Sequence, residues 1–154
     1  MPTPPPTARL VYGNIGYNED AASDNKAVVL SGSKEDGSYE FEVSLLNTGL
    51  WLVQFYKNFF SPPAVVLTQI YHGGGTLTDT QDPQWNSNPQ WGNTRDNAVL
   101  VGISAKEFKL ITGDQNGVKQ NRMFGFVAIG AYDPDAQGGY VEPYSWSAGL
   151  EQET

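Results

Sequence analysis

The tripeptide Pro-Gln-Trp occurs twice, at Pro83-Gln84-Trp85 and Pro89-Gln90-Trp91, inside the polar stretch 82–97 (DPQWNSNPQWGNTRDN). An indole ring is a large apolar plate with one N–H donor, and two of them on a polar loop are costly to expose unless they pack or bind. Sugars offer C–H faces that stack on indole, while amides, carboxylates and guanidinium groups satisfy the hydroxyls. Arg95, Asp96 and Asn97 close the same stretch. The candidate ligand-binding set is therefore Trp85, Trp91, Arg95, Asp96, Asn97 and His72. In it Arg95 donates to hydroxyls, Asp96 accepts from them and a tryptophan stacks. The same tryptophans would equally serve to pin the loop to a core or to fill a subunit interface, and the residues alone leave both open.

Catalytic chemistry has less to stand on. The single histidine, His72, opens the Gly73-Gly74-Gly75 run. It suits a hydrogen bond that caps a strand end as well as one to a ligand. One His without Cys does not make a zinc site of the usual kind. A Ser-His-Asp triad would need that His beside an activated serine, and no G-x-S-x-G elbow is present. The glycine run lacks the following helix that a phosphate loop needs. Paired carboxylates for glycoside hydrolysis are a further class. The obvious acids, Glu40 and Glu42, fall on the solvated face of a strand pattern. The expectation is a protein that is not an enzyme, with a small hydrolase using loop carboxylates as the rival. No cofactor is expected. Calcium is the metal that loop oxygens at Asp79, Asp82, Asp96, Asp133 and Asp135 would suit, although no EF-hand spacing is present.

Composition narrows the partners. The chain has 154 residues, a net charge of −8 and no cysteine, which excludes disulfides and thiolate metal sites. An acidic surface repels phosphate backbones and anionic membranes, so neither nucleic acid nor membrane insertion is expected. No apolar run reaches the roughly 18 residues of a membrane helix, and residues 1–7 (MPTPPPT) lack the apolar centre of a signal peptide. A cytoplasmic protein, one exported without a cleaved signal, or a virion or appendage component all fit.

The elements that must position these residues are strands. Seventeen Gly and ten Pro imply many turns and few helices. After a Pro-rich lead-in at 1–9, one domain is expected over 10–154. Tyr39, Phe41, Val43 and Leu45 alternate with polar residues, a period of two with one face buried. The turn Asn47-Thr48-Gly49 joins this strand to 50–56 (LWLVQFY), where Trp51, Val53 and Phe55 share a face. Further strands are expected at 10–15, 27–30, 64–71, 98–104, 108–112 and 123–131. The run 64–71 (AVVLTQIY) is nearly all apolar and reads as a central strand covered on both faces. In the last strand Phe124 and Phe126 share one face while Met123, Val127 and Ile129 share the other. Such double-sided apolarity points to contact with another subunit, because a lone sandwich buries one face of each sheet. The fold class is all-β, an antiparallel β-sandwich with no substantial helix.

One stretch, about 49–132, carries a family resemblance. It runs Gly49-Leu50-Trp51, Phe55, Phe59, Pro62-Pro63-Ala64-Val65-Val66, Gly102-Ile103-Ser104, Phe108-Lys109 and Phe126-Val127-Ala128-Ile129-Gly130. This resembles the H-type lectin domain and related small β-sandwich heads of bacterial proteins and phage tail fibres. The resemblance implies a six-stranded antiparallel sandwich, a homotrimer, and galactose-type sugars held between subunits. The implied roles are carbohydrate binding and cell adhesion, with a glycan or cell-surface glycoconjugate as partner. Arg95 stands where the family places a sugar-binding arginine. The turn Gly113-Asp114-Gln115-Asn116-Gly117 holds neither the aromatic nor the His that the family places there. The alternative is a structural or assembly head, a trimerisation or fibre-capping domain with no ligand of its own.

Overall fold

A computed structural model of the chain describes residues 7–20, 24–70 and 97–132. Among them every regular element is a strand. Ten are present: β1 (Thr7–Tyr17), β2 (Ala27–Gly32), β3 (Lys34–Glu35), β4 (Ser38–Tyr39), β5 (Phe41–Asn47), β6 (Leu50–Phe55), β7 (Ala64–Ile70), β8 (Val99–Ile103), β9 (Glu107–Ile111) and β10 (Met123–Tyr132). Eight of them are the expected strands; β3 and β4 form a small hairpin. Its tip, Asp36-Gly37, has positive φ at both positions (50° and 82°), the geometry that lets two residues reverse a twisted ribbon.

The eight longer strands make two four-stranded sheets, ordered β2-β1-β10-β7 and β5-β6-β9-β8, with all pairings antiparallel. The resemblance implied six strands; the described residues give two sheets of four. The core lies between the sheets. Val11, Ile15, Phe124, Phe126 and Ala128 come from one, and Phe41, Val43, Trp51, Val53, Phe55, Phe108 and Leu110 from the other. Their rings meet edge to face. Phe126 lies 4.9 Å from Phe41 and 5.2 Å from Phe108, and Phe124 lies 5.2 Å from Trp51. Each such pair adds about 0.5–1.5 kcal/mol beyond its burial.

Three readings need correction. The run 64–70 is an edge strand among the described residues, not a central one. Val65 and Leu67 pack on the core, but Val66 is 65% exposed. The lead-in ends earlier than expected, because Thr7–Arg9 already pair with β10. Glu40 is not a solvated acid. Its carboxylate, 15% exposed, accepts from Arg9 at 3.2 Å. Arg9 also donates to the Lys57 carbonyl and lies over the Phe59 ring at 5.1 Å. This guanidinium clasps the start of β1 to the segment 56–63, which crosses from one sheet to the other. Phe59 and Phe60 fix that crossing by donating their amides to Ala105 and Ala131 (2.9 and 2.8 Å). Gly130 is required here, since a Cβ would stand 2.8 Å from Phe59.

Removing Arg9 strands a nearly buried carboxylate, so Arg9→Ala should lower stability by about 3–5 kcal/mol. Lys109→Ala, on a solvated face, should change it by less than about 0.5 kcal/mol. Urea unfolding followed by tryptophan fluorescence measures both; equal small losses would remove the clasp from the account.

Candidate functional site

Of the six candidate ligand-binding residues, Asn97 alone is described; it is exposed, two residues before β8. Trp85, Trp91, Arg95, Asp96 and His72 lie outside the described residues, as do Trp146 and the aspartates considered for calcium. Among the described residues no three His, Cys, Asp or Glu groups assemble as a metal set.

What is described is the platform from which that stretch leaves and to which it returns. Among the described residues, Ile70 ends β7, at the edge of one sheet, and Val99 begins β8, at the edge of the other. Ile70 pairs with Met123, and Val99 pairs with Ile111, which in turn pairs with Leu50. Both anchors therefore stand at one end of the sandwich, with the 47–50 turn and the connection 112–122.

Hydrogen bonds hold this end. Gln69 spans the two sheets: its Nε2 donates to the Gly113 carbonyl at 2.9 Å and its Oε1 accepts from the Gly113 amide at 3.1 Å. The side chain thus supplies the pair of bonds a neighbouring strand would give. Thr112 is buried at the centre. Its hydroxyl accepts from the Trp51 indole at 3.0 Å and from the Arg122 amide at 3.3 Å, and donates to the Gln120 carbonyl at 2.5 Å. Asn121 accepts from the Gly49 amide at 2.8 Å, and the Thr112 amide donates to the Gly49 carbonyl at 2.8 Å. Gly49, at φ 66°, has no room for a Cβ, which would lie 2.6 Å from the Thr112 oxygen. The expected 113–117 turn is present: Asp114 Oδ1 accepts from the amides of Asn116 and Val118 (2.9 and 3.1 Å).

A second surface was not singled out from sequence as a site. The outer face of β2-β1-β10-β7 carries a shallow groove of about 310 Å³. Gly125 forms its floor, with Asn14 and Thr68 to either side in one cross-strand row. Tyr12, Val127 and Val66 form the adjacent row, and Ile70 closes the other side. The sequence signal for this face is the apolar content of 64–71 and 123–131.

No family model, curated protein or solved structure matches this chain.

Thr112→Val keeps the shape of the side chain and deprives a buried indole N–H of its acceptor. The expected loss is about 1–3 kcal/mol. Thr112→Ser, which keeps the hydroxyl, should retain most of the stability. Thermal unfolding of the two variants side by side makes the comparison.

Proposed function

We propose that this domain is a carbohydrate- or cell-surface-binding module of lectin type, working as a homotrimer with sugar held by loops near a subunit interface. The observation that supports the reading is the anchoring of 71–98. Both of its ends are fixed at one hydrogen-bonded end of a rigid sandwich, and recognition residues are disproportionately carried on loops held by such scaffolds. Trp85, Trp91, Arg95 and Asp96, carried by this stretch, supply stacking and hydroxyl pairing in one segment. Asn97 and His72 flank them. Galactose-type sugars are one class to try. A wider panel is needed, because the 113–117 turn lacks the aromatic and His of the resembled family.

A second reading, an assembly head with no ligand of its own, draws on the apolar outer sheet face described above. A glycan array followed by calorimetric titration separates the two. Binding of at least one sugar class is expected, with at least a tenfold loss in Trp91→Ala. No binding across the array, or binding untouched by Trp91→Ala, would overturn the lectin reading.

A further inference from the structure

The two outer faces of the sandwich differ in kind. On β5-β6-β9-β8 the rows read Glu42, Gln54, Glu107 and Ser44, Leu52, Lys109, with Gln54 donating to Glu107 at 3.1 Å. That face is polar across β5, β6 and β9, with its exposed apolar side chains confined to Leu46 and to β8 (Val99, Leu100 and Val101). On β2-β1-β10-β7 the rows read Leu10, Ile129, Ala64 and Tyr12, Val127, Val66. Leu10 is 50% exposed, Tyr12 45%, Leu30 49%, Val66 65% and Ile129 50%. Among the described residues, no Asp, Glu, Lys or Arg points outward from these four strands.

We propose that this outer face is the surface on which a second copy of the chain docks. The proposal deepens the homo-oligomer part of the reading above and rests on it, extending the subunit contact from the last strand to the whole outer face of its sheet. Three observations select another copy over a different partner. The first is charge. A chain of net charge −8 repels its own copies at long range, and among the described residues this face brings two copies together with no like charges opposed. A basic partner would find no carboxylate there to pair with. The second is area. β1 and β10 along Ala8 to Gly16, β7 opposite Leu10 to Gly16 and β2 opposite Gly13 to Gly16, at about 4.8 Å between strands and about 3.3 Å per residue, project to roughly 450 Å² before side-chain relief is added; a standard interface buries about 800 Å² per partner. The third is relief. The ridge of Tyr12, Val127 and Val66 lies beside the furrow over Gly125, so one copy offers both the projection and the recess that another needs. A side chain at 125 would fill the furrow, and its Cβ would already stand 2.8 Å from Asn14 Oδ1.

The test is the mass in solution of the full chain by analytical ultracentrifugation at micromolar concentration. Wild type should sediment as a multiple of one chain. Val66→Lys and Leu10→Lys, on different strands, should each shift it to one chain while circular dichroism and thermal unfolding show the fold retained. Gln54→Lys, on the other outer face, should leave the mass unchanged. A wild type that sediments as one chain overturns the proposal and assigns the cover of this face elsewhere. So does a folded Val66→Lys and Leu10→Lys pair that both keep the wild-type mass. The outcome is separable from the lectin reading. An assembled protein that ignores every glycan removes that reading alone, and a glycan-binding monomer removes the interface together with the homotrimer while leaving glycan binding in place. A two-chain mass supports the interface and removes the trimer.

Discussion

The edge-to-face contacts of Phe126 with Phe41 and Phe108, and of Phe124 with Trp51, are the seam that makes two sheets into one body. β10 supplies both phenylalanines at alternate positions, so its pleat points them together into the space between the sheets. Its neighbours in that sheet are β1, from the start of the described chain, and β7. No stretch of local sequence completes the core. β10 thus projects Phe124 and Phe126 from between two strands distant in sequence, β1 and β7. The crossing at 56–63 then adds Phe59, packed on Phe55 at 4.9 Å and under the Arg9 guanidinium. The aromatic seam and the Arg9 clasp thus reinforce one another, one within the core and one at its margin.

Elements set by local rules were legible in the sequence. The alternation around Phe41 and Val43 and the Asn47-Thr48-Gly49 turn gave the β5–β6 hairpin, and Trp51, Val53 and Phe55 share the buried face as read. What depended on distant partners was not legible. An apolar run such as AVVLTQI reports that both faces avoid charge; it does not report whether sheet, subunit or solvent covers the second face. The pattern therefore reads β7 as central, whereas among the described residues it lies at an edge. Glu40 looked solvated because its period-two position points outward, and its partner Arg9 lies 31 residues earlier. Thr112 carried no local mark at all, since its role follows from Trp51 approaching across 61 residues. For the candidate site, the described structure supplies Asn97 and the anchors at Ile70 and Val99; the chemistry of 82–96 still rests on residue types.

The platform and the outer face make different demands on the same two strands. β7 and β10 contribute Gln69 and Met123 to the hydrogen-bonded end, where the sheets are tied by paired bonds between Gln69 and Gly113. A few residues along, the same strands present Val66, Val127 and Ile129 outward. Inward positions of β10 are fixed by packing and leave no latitude: Ala128 is fully buried and Gly130 is hemmed by Phe59 and Pro63. Outward positions carry no such constraint from within one chain, and a solvated sheet face ordinarily holds polar or charged residues there, as Glu42, Gln54 and Lys109 do opposite. Valine, isoleucine, leucine and tyrosine at positions that no described residue constrains, in a chain with this much negative charge to place, are the ground on which the proposed docking of a second copy rests. That docking would also connect the two halves of the functional reading, because the strands that would meet another copy include β7, from whose end the tryptophan-bearing stretch departs.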